Sequence, residues 1–325
     1  MLDQRTMMFL VFVAFSLLCF VVGYTARRRG WAPERWSRPM HLHTIIWLWS
    51  PVTMLAFWGL GSDAAKDVVT LMLAQPVLMV GPAAVMAMTV AVCRFKREQR
   101  GVMTLAAALS NHGFTLGSYL CYALLNPSDD ALRYGIAYVT SMQVFMVLIF
   151  YPVAAHYAPG VGRGVGRLMI ESFVTVRAAP LYMALVGLIL KLLKVEYPTE
   201  AIARWHLMDV LFFAGAAGAN LGIGLRFRFG DTWHTLHLHG LLAIVQFVVH
   251  PLMAAGAIGL MTLTGYPPSD LVRNVMLIEA CIPTALNTVI VANLFHLDAR
   301  LAASLWLWNT LGFCVVMLPI VLWFW

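Results

Sequence analysis

Long apolar runs alternate along the chain with short stretches in which Arg, Asp, Gly and Pro collect. A helix rising ~1.5 Å per residue needs about 20 mostly apolar residues to cross a hydrocarbon core about 30 Å thick. By that length the pattern predicts ten spans, at 7–24, 41–60, 68–92, 102–125, 131–154, 178–195, 206–225, 235–264, 271–295 and 300–324. In the first run Arg27, Arg28 and Arg29 follow the apolar residues instead of preceding them, so it reads as a retained helix and not as a secretory signal.

Two of these runs are interrupted. Residues 277–294, LIEACIPTALNTVIVANL, carry Glu279, Pro283 and Asn287. Proline inside a helix costs about 3 kcal/mol, and a carboxylate at membrane depth costs roughly 2.5–3.5 kcal/mol. Such costs are tolerated where broken backbone lines a cavity. The fourth run has Ser110-Asn111-His112-Gly113-Phe114-Thr115-Leu116-Gly117-Ser118 at its middle, small and polar residues that predict a second break. From Met7 to Asn111 is 104 positions, and from Ala178 to Pro283 is 105. Each irregularity thus falls in the fourth span of its half. The chain then divides into a first five-helix repeat, 1–155, a cytoplasmic connection, 156–177, and a second repeat, 178–325. An odd number of spans per half makes the repeats inverted, and paired interrupted helices then mark a midplane site.

Composition narrows the class. The 325 residues are 61% hydrophobic and 11% charged, outside the range of soluble domains and consistent with an all-α polytopic membrane protein. The net charge of +7 matters through its placement and does not point to nucleic acid. Arg27, Arg28, Arg29, Arg35, Arg38, Arg94, Lys96, Arg97, Arg100, Arg163, Arg167, Arg177, Arg226, Arg228 and Arg300 share one side, leaving seven of the 22 basic residues for the other. The positive-inside rule places that richer side in the cytoplasm and both termini on the non-cytoplasmic side of the inner membrane. The five cysteines form no Cys-x-x-Cys pair, which argues against a disulfide framework and a thiolate metal site.

Glycines elsewhere take plainer roles. Gly215, Gly218, Gly222 and Gly224 in span 7 predict close helix packing, with Asn220 able to add a polar atom to a cavity. The glycines of HYAPGVGRGVGR lack phosphate-loop spacing and read as a connection. Pro51, Pro76 and Pro82 read as kinks, and span 8 carries His250-Pro251. A rival class is a membrane metalloenzyme, because His234-x-x-His237-x-His239 has ligand-like spacing and His41, His43, His156 and His296 fall on the same side. No companion carboxylate cluster accompanies these histidines.

Taken together, RRRG after span 1, SNHGFTLG in span 4, RAAPLYMALVGLIL at span 6, EACIPTALNTVIVANLF in span 9 and DARLAASLWLWNTLGF at span 10 resemble the auxin efflux carrier family, whose plant relatives include the PIN-type carriers. The resemblance implies ten helices in two inverted repeats with helices 4 and 9 unwound and crossing, as in bile-acid/sodium symporters and sodium/proton antiporters. It also implies carriage of a small organic anion. Carried over by position, the motifs fall on Asn111 and Gly113 in helix 4 and on Pro283, with Asn287 beyond, in helix 9. Ser118 and His112 depart from the family pattern.

The expected function is therefore secondary transport of a carboxylate by alternating access, not enzymatic turnover. The expected binding residues are Asn111, His112, Gly113, Pro283, Thr284 and Asn287, with Glu279 and His112 as coupling candidates. No cofactor or metal is expected. The reading leaves room for a coupled proton or sodium ion and for a homodimer. A transporter fold serving as a receptor is a further alternative.

Overall fold

The computed structural model describes residues 4–61, 64–93, 95–113, 116–125, 130–158, 166–167, 170, 173–174, 178–227 and 235–325. Most of the connection 156–177 lies outside the described residues, as do His234, Arg94, Arg163, Arg177 and Arg228. Among the described residues the chain is helical and has no β-strand, with a single isolated bridge between Ser110 and Thr284.

Among the described residues six helices are long and apolar enough to cross a membrane: Leu10–Arg28, Ala64–Val92, Asp130–Tyr157, Leu207–Gly224, Leu236–Leu263 and Ala299–Phe324. They coincide with the predicted spans 1, 3, 5, 7, 8 and 10. Large apolar side chains remain exposed along them, among them Leu18, Leu73, Leu252, Leu260 and Val315. So broad an apolar surface is costly in water and suits a lipid environment. Helices of this length and this apolar surface are consistent with a polytopic helical membrane protein.

The helices, in order, are α1 (Gln4–Arg28), α2 (Ser37–Thr44), α3 (Ser50–Trp58), α4 (Ala64–Val92), α5 (Arg97–Ala108), α6 (Gly117–Leu124), α7 (Asp130–Phe145), α8 (Tyr151–Tyr157), α9 (Ala179–Leu192), α10 (Thr199–Arg204), α11 (Leu207–Gly224), α12 (Leu236–Ile244), α13 (His250–Leu263), α14 (Asp270–Ala280), α15 (Leu286–Leu294), α16 (Ala299–Gly312) and α17 (Leu318–Phe324). Among the described residues four wider π-helical turns join neighbouring helices into continuous rods: Ile45–Trp49, Met146–Phe150, Val245–Val249 and Phe313–Met317. Each is followed, one residue later, by a proline: Pro51, Pro152, Pro251 and Pro319. Proline lacks an N–H and its ring clashes with the carbonyl four residues back, so one extra residue in the preceding turn accommodates it without ending the rod. Pro76 and Pro82 instead lie inside the unbroken α4.

By contact density the chain forms two compact units. The first comprises Met1–Ala64, Gly113–Thr140 and Ser172–Arg228. Within it α11 lies against α1 and α2, and small residues set the approach. A Cβ on Gly218 would stand 2.2 Å from Thr44 Oγ1 and one on Gly222 2.6 Å from His41 Nε2, so a larger residue would force these side chains to shift. The span-7 glycines thus have the packing role their sequence suggests. Asn220 is buried and donates to Ala216 O at 2.9 Å on its own helix. Here α9 also packs on α3, where a Cβ on Gly187 would meet Met54 O at 2.4 Å.

The second unit comprises Ala65–His112, Ser141–Glu171 and Phe229–Trp325. In it α5 touches α8, α12, α15 and α16, and α14 packs on α13. Both predicted breaks are present. α5 ends at Ala108 and α6 begins at Gly117, while α14 ends at Ala280 and α15 begins at Leu286.

Candidate functional site

Inside the second unit the two interrupted stretches meet as extended backbone. Asn111 N donates to Pro283 O at 2.7 Å, and Ala285 N donates to Leu109 O at 2.6 Å. These two bonds flank Ser110 and Thr284, which face each other as the non-hydrogen-bonded pair of an antiparallel bridge. The break in α14–α15 follows from Pro283, which supplies no N–H and pushes Ile282 toward extended backbone. The break after α5 coincides with Ser110, Asn111 and Gly113, residues of lower helix propensity.

Each helix end at the break leaves carbonyls or amides without intrahelical partners. Thr284 answers for α5: its hydroxyl donates to Ala106 O at 2.7 Å and lies 3.2 Å from Leu109 O. The Thr284 N–H, outside the bridge, donates to Asn309 Oδ1 at 2.7 Å from α16. Thr288 Oγ1 stands 3.4 Å from the Thr284 hydroxyl. At the end of α14, Cys281 N and Ile282 N bond back to Ile278 O and Glu279 O. The Ala106, Ile278 and Glu279 carbonyls at the negative ends of α5 and α14 are thus satisfied by the protein. At the N-terminus of α15 the balance differs, because the amides of Leu286 and Asn287 find no hydrogen-bond partner among the described residues. That end carries partial positive charge and donors suited to an anion.

The predicted residues therefore divide. Pro283 and Thr284 are buried and hold the crossover itself. Asn111 is half-buried and contributes its amide to the bridge. Gly113 belongs to the first unit, where a Cβ would meet Val139 at an ordinary 3.5 Å. Asn287 is half-buried in the first turn of α15, and its side chain makes no hydrogen bond among the described residues. His112 and Glu279 come together: Nδ1 of the ring lies 3.1 Å from Oε2 of the carboxylate, both side chains 0% exposed.

Sequence reasoning gave no site role to Gln246, His250 and Asn309. Gln246 Nε2 donates to Ile282 O at 2.7 Å and to the Ser110 hydroxyl. His250 Nδ1 is 3.3 Å from both Ser110 Oγ and Gln246 Nε2. The His112 and His250 rings stand edge to face with centroids 5.9 Å apart. A signal existed in the sequence, since Gln246 and His250 are four residues apart on one face of an otherwise apolar run. Both are buried.

The histidines that suggested a metal site are elsewhere. His237 stacks on Phe95, and His239 Nε2 lies 3.3 Å from the hydroxyls of Thr235 and Ser304. Among the described residues no group of three or more His, Cys, Asp or Glu is placed to hold a metal ion. Compared with models of known protein families and with curated proteins, the sequence matches none.

Proposed function

We propose that this membrane protein is a secondary carrier that moves a small organic carboxylate across the cytoplasmic membrane by alternating access, with its site at the crossover. The observation that carries the reading is the bridge between two interrupted apolar helices, where Asn111 N meets Pro283 O and Ala285 N meets Leu109 O. A soluble helical core has no reason to keep such a break. In a membrane it is tolerated where it serves an ion or solute.

The reading includes ten crossings in two inverted repeats, 1–155 and 178–325, with both termini outside. Two features support it. The breaks fall in the fourth and ninth of the long helical rods. The basic residues crowd the connections of one side. The resemblance to auxin efflux carriers agrees with an anion as substrate. Recognition uses the Leu286 and Asn287 amides and the Asn287 side chain, with no lysine or arginine needed.

The test is thermal unfolding of purified protein against a panel of mono- and dicarboxylates. A ligand at 100 times its Kd stabilises the folded state by about 2.7 kcal/mol. Asn287→Leu is expected to remove the stabilisation while leaving the unliganded protein as stable as before. If no carboxylate stabilises the protein, or if Asn287→Leu binds unchanged, the assignment fails.

A further inference from the structure

We propose that the basic end of the first unit, where α1 turns into α2, is a binding surface for the headgroups of anionic phospholipids. Only a bilayer around the helices is required, whatever solute the crossover takes.

A single turn builds the surface. α1 ends at Arg28, and Gly30, at φ +74°, reverses the backbone so that Trp31 N and Ala32 N bond to Ala26 O at 2.8 and 3.3 Å. Glycine takes that conformation without steric cost. After Pro33 one 3-10 turn, Glu34–Trp36, leads directly into α2. Arg27 fastens the turn to the chain just past α11: its Nη2 donates to Phe227 O at 2.6 Å, and its Nη1 lies 4.0 Å from Glu34 Oε2. Beside Phe227, Arg226 keeps its Nε buried with no hydrogen-bond partner among the described residues.

What the turn leaves facing outward is positive charge and indole. Arg28, Arg29, Arg35 and Arg38 are exposed, and among the described residues none of their side chains makes a hydrogen bond or an ion pair. Glu34 is the one acidic residue between Arg27 and Arg38, and it already stands beside Arg27. Trp31 and Trp36 are 67% and 50% exposed, and Arg29 Cζ stands 4.9 Å from the centre of the Trp31 ring.

Location and chemistry then select the occupant. The turn directly follows the spanning run Leu10–Arg28, which brings it to the level of the headgroups. Indoles settle at that level because the ring is apolar and its N–H is not. A guanidinium offers a planar fork of donors that matches two phosphate oxygens. An acidic protein would supply the opposite charge too, but it would first have to displace the headgroups already lying there. At the start of α11 the same pair of residue types occurs with the opposite charge balance. Exposed Arg204 lies 5.7 Å from the ring of exposed Trp205, and Glu200 and Asp209 flank it in sequence. That pair is the internal control.

Retention of lipid by the purified protein in a neutral detergent, read by native mass spectrometry, tests the proposal. The probes are dioleoyl phosphatidylglycerol and dioleoyl phosphatidylcholine at equal concentration. The wild type should hold the glycerol lipid severalfold more than the choline lipid. Arg28→Gln, Arg35→Gln and Arg38→Gln should each weaken phosphatidylglycerol retention by about fivefold, the share of one basic residue near an anionic surface, and leave phosphatidylcholine unchanged. These side chains are exposed and unpaired, so the melting temperature should not move. Arg204→Gln should alter neither lipid. Equal retention of the two lipids by the wild type overturns the proposal. So does a loss in Arg204→Gln as large as that in Arg28→Gln, since attraction would then be diffuse. Protein that takes up inorganic phosphate or polyglutamate but no phosphatidylglycerol would give the surface to a free anion or an acidic protein and overturn the lipid assignment. Carboxylate binding at the crossover enters none of these readouts, so the carrier reading stands or falls separately.

Discussion

Thr284→Val isolates the hydrogen bond that closes the end of α5. The Thr284 hydroxyl donates to Ala106 O at 2.7 Å, and the side chain is 0% exposed. No other hydrogen bond to the Ala106 carbonyl is made by the described residues, because α5 stops at Ala108. Valine has nearly the same shape, so no cavity opens and the effect is that of an orphaned carbonyl. Such a group costs about 1–3 kcal/mol when buried without a partner. The Leu109 carbonyl, 3.2 Å from the same hydroxyl, keeps its bond from Ala285 N and should add little. Thr310→Val is the matched control, because its hydroxyl bonds Trp306 O at 2.8 Å within a regular helix turn that already satisfies that carbonyl. Reversible unfolding in detergent should therefore show Thr284→Val about 1–3 kcal/mol less stable than wild type and Thr310→Val within about 0.5 kcal/mol of it. Equal stability of the two variants would refute the account of how α5 ends.

Other expectations follow from separate contacts. Gly187→Ala drives a Cβ to 2.4 Å from Met54 O and should cost about 1–3 kcal/mol by overpacking. Gly256→Ala, with nothing within 4 Å of the new Cβ, should be neutral or gain up to about 1 kcal/mol from helix propensity; unfolding curves of both check this. Pro283→Ala should leave stability unchanged or higher while carboxylate affinity falls, measured by ligand-induced shift in melting temperature; unaltered affinity would make the break a packing feature. Glu279→Gln should abolish the pH dependence of carboxylate uptake into vesicles while binding persists, and retained pH dependence would assign Glu279 a structural role. Cysteines replacing Arg35 and Lys194 should react with an impermeant reagent from the cytoplasmic and the outer side respectively, and the reverse pattern would invert the topology.

Much of this molecule is written in residue order alone. Apolar run length set where the helices lie, because a helix satisfies its own backbone and needs only a sufficient stretch without charge. Pro283 and the Ser110–Gly113 cluster likewise announced both breaks, since the backbone chemistry of those residues opposes a continuous helix wherever they fall. Partnership was a different matter. That His112 meets Glu279 across 167 positions, that Thr284 closes α5, and that Gln246 and His250 join Ser110 all depend on how the extended stretches cross. Side-chain bonds at that range are set by relative helix rotation and register, which local propensity does not specify.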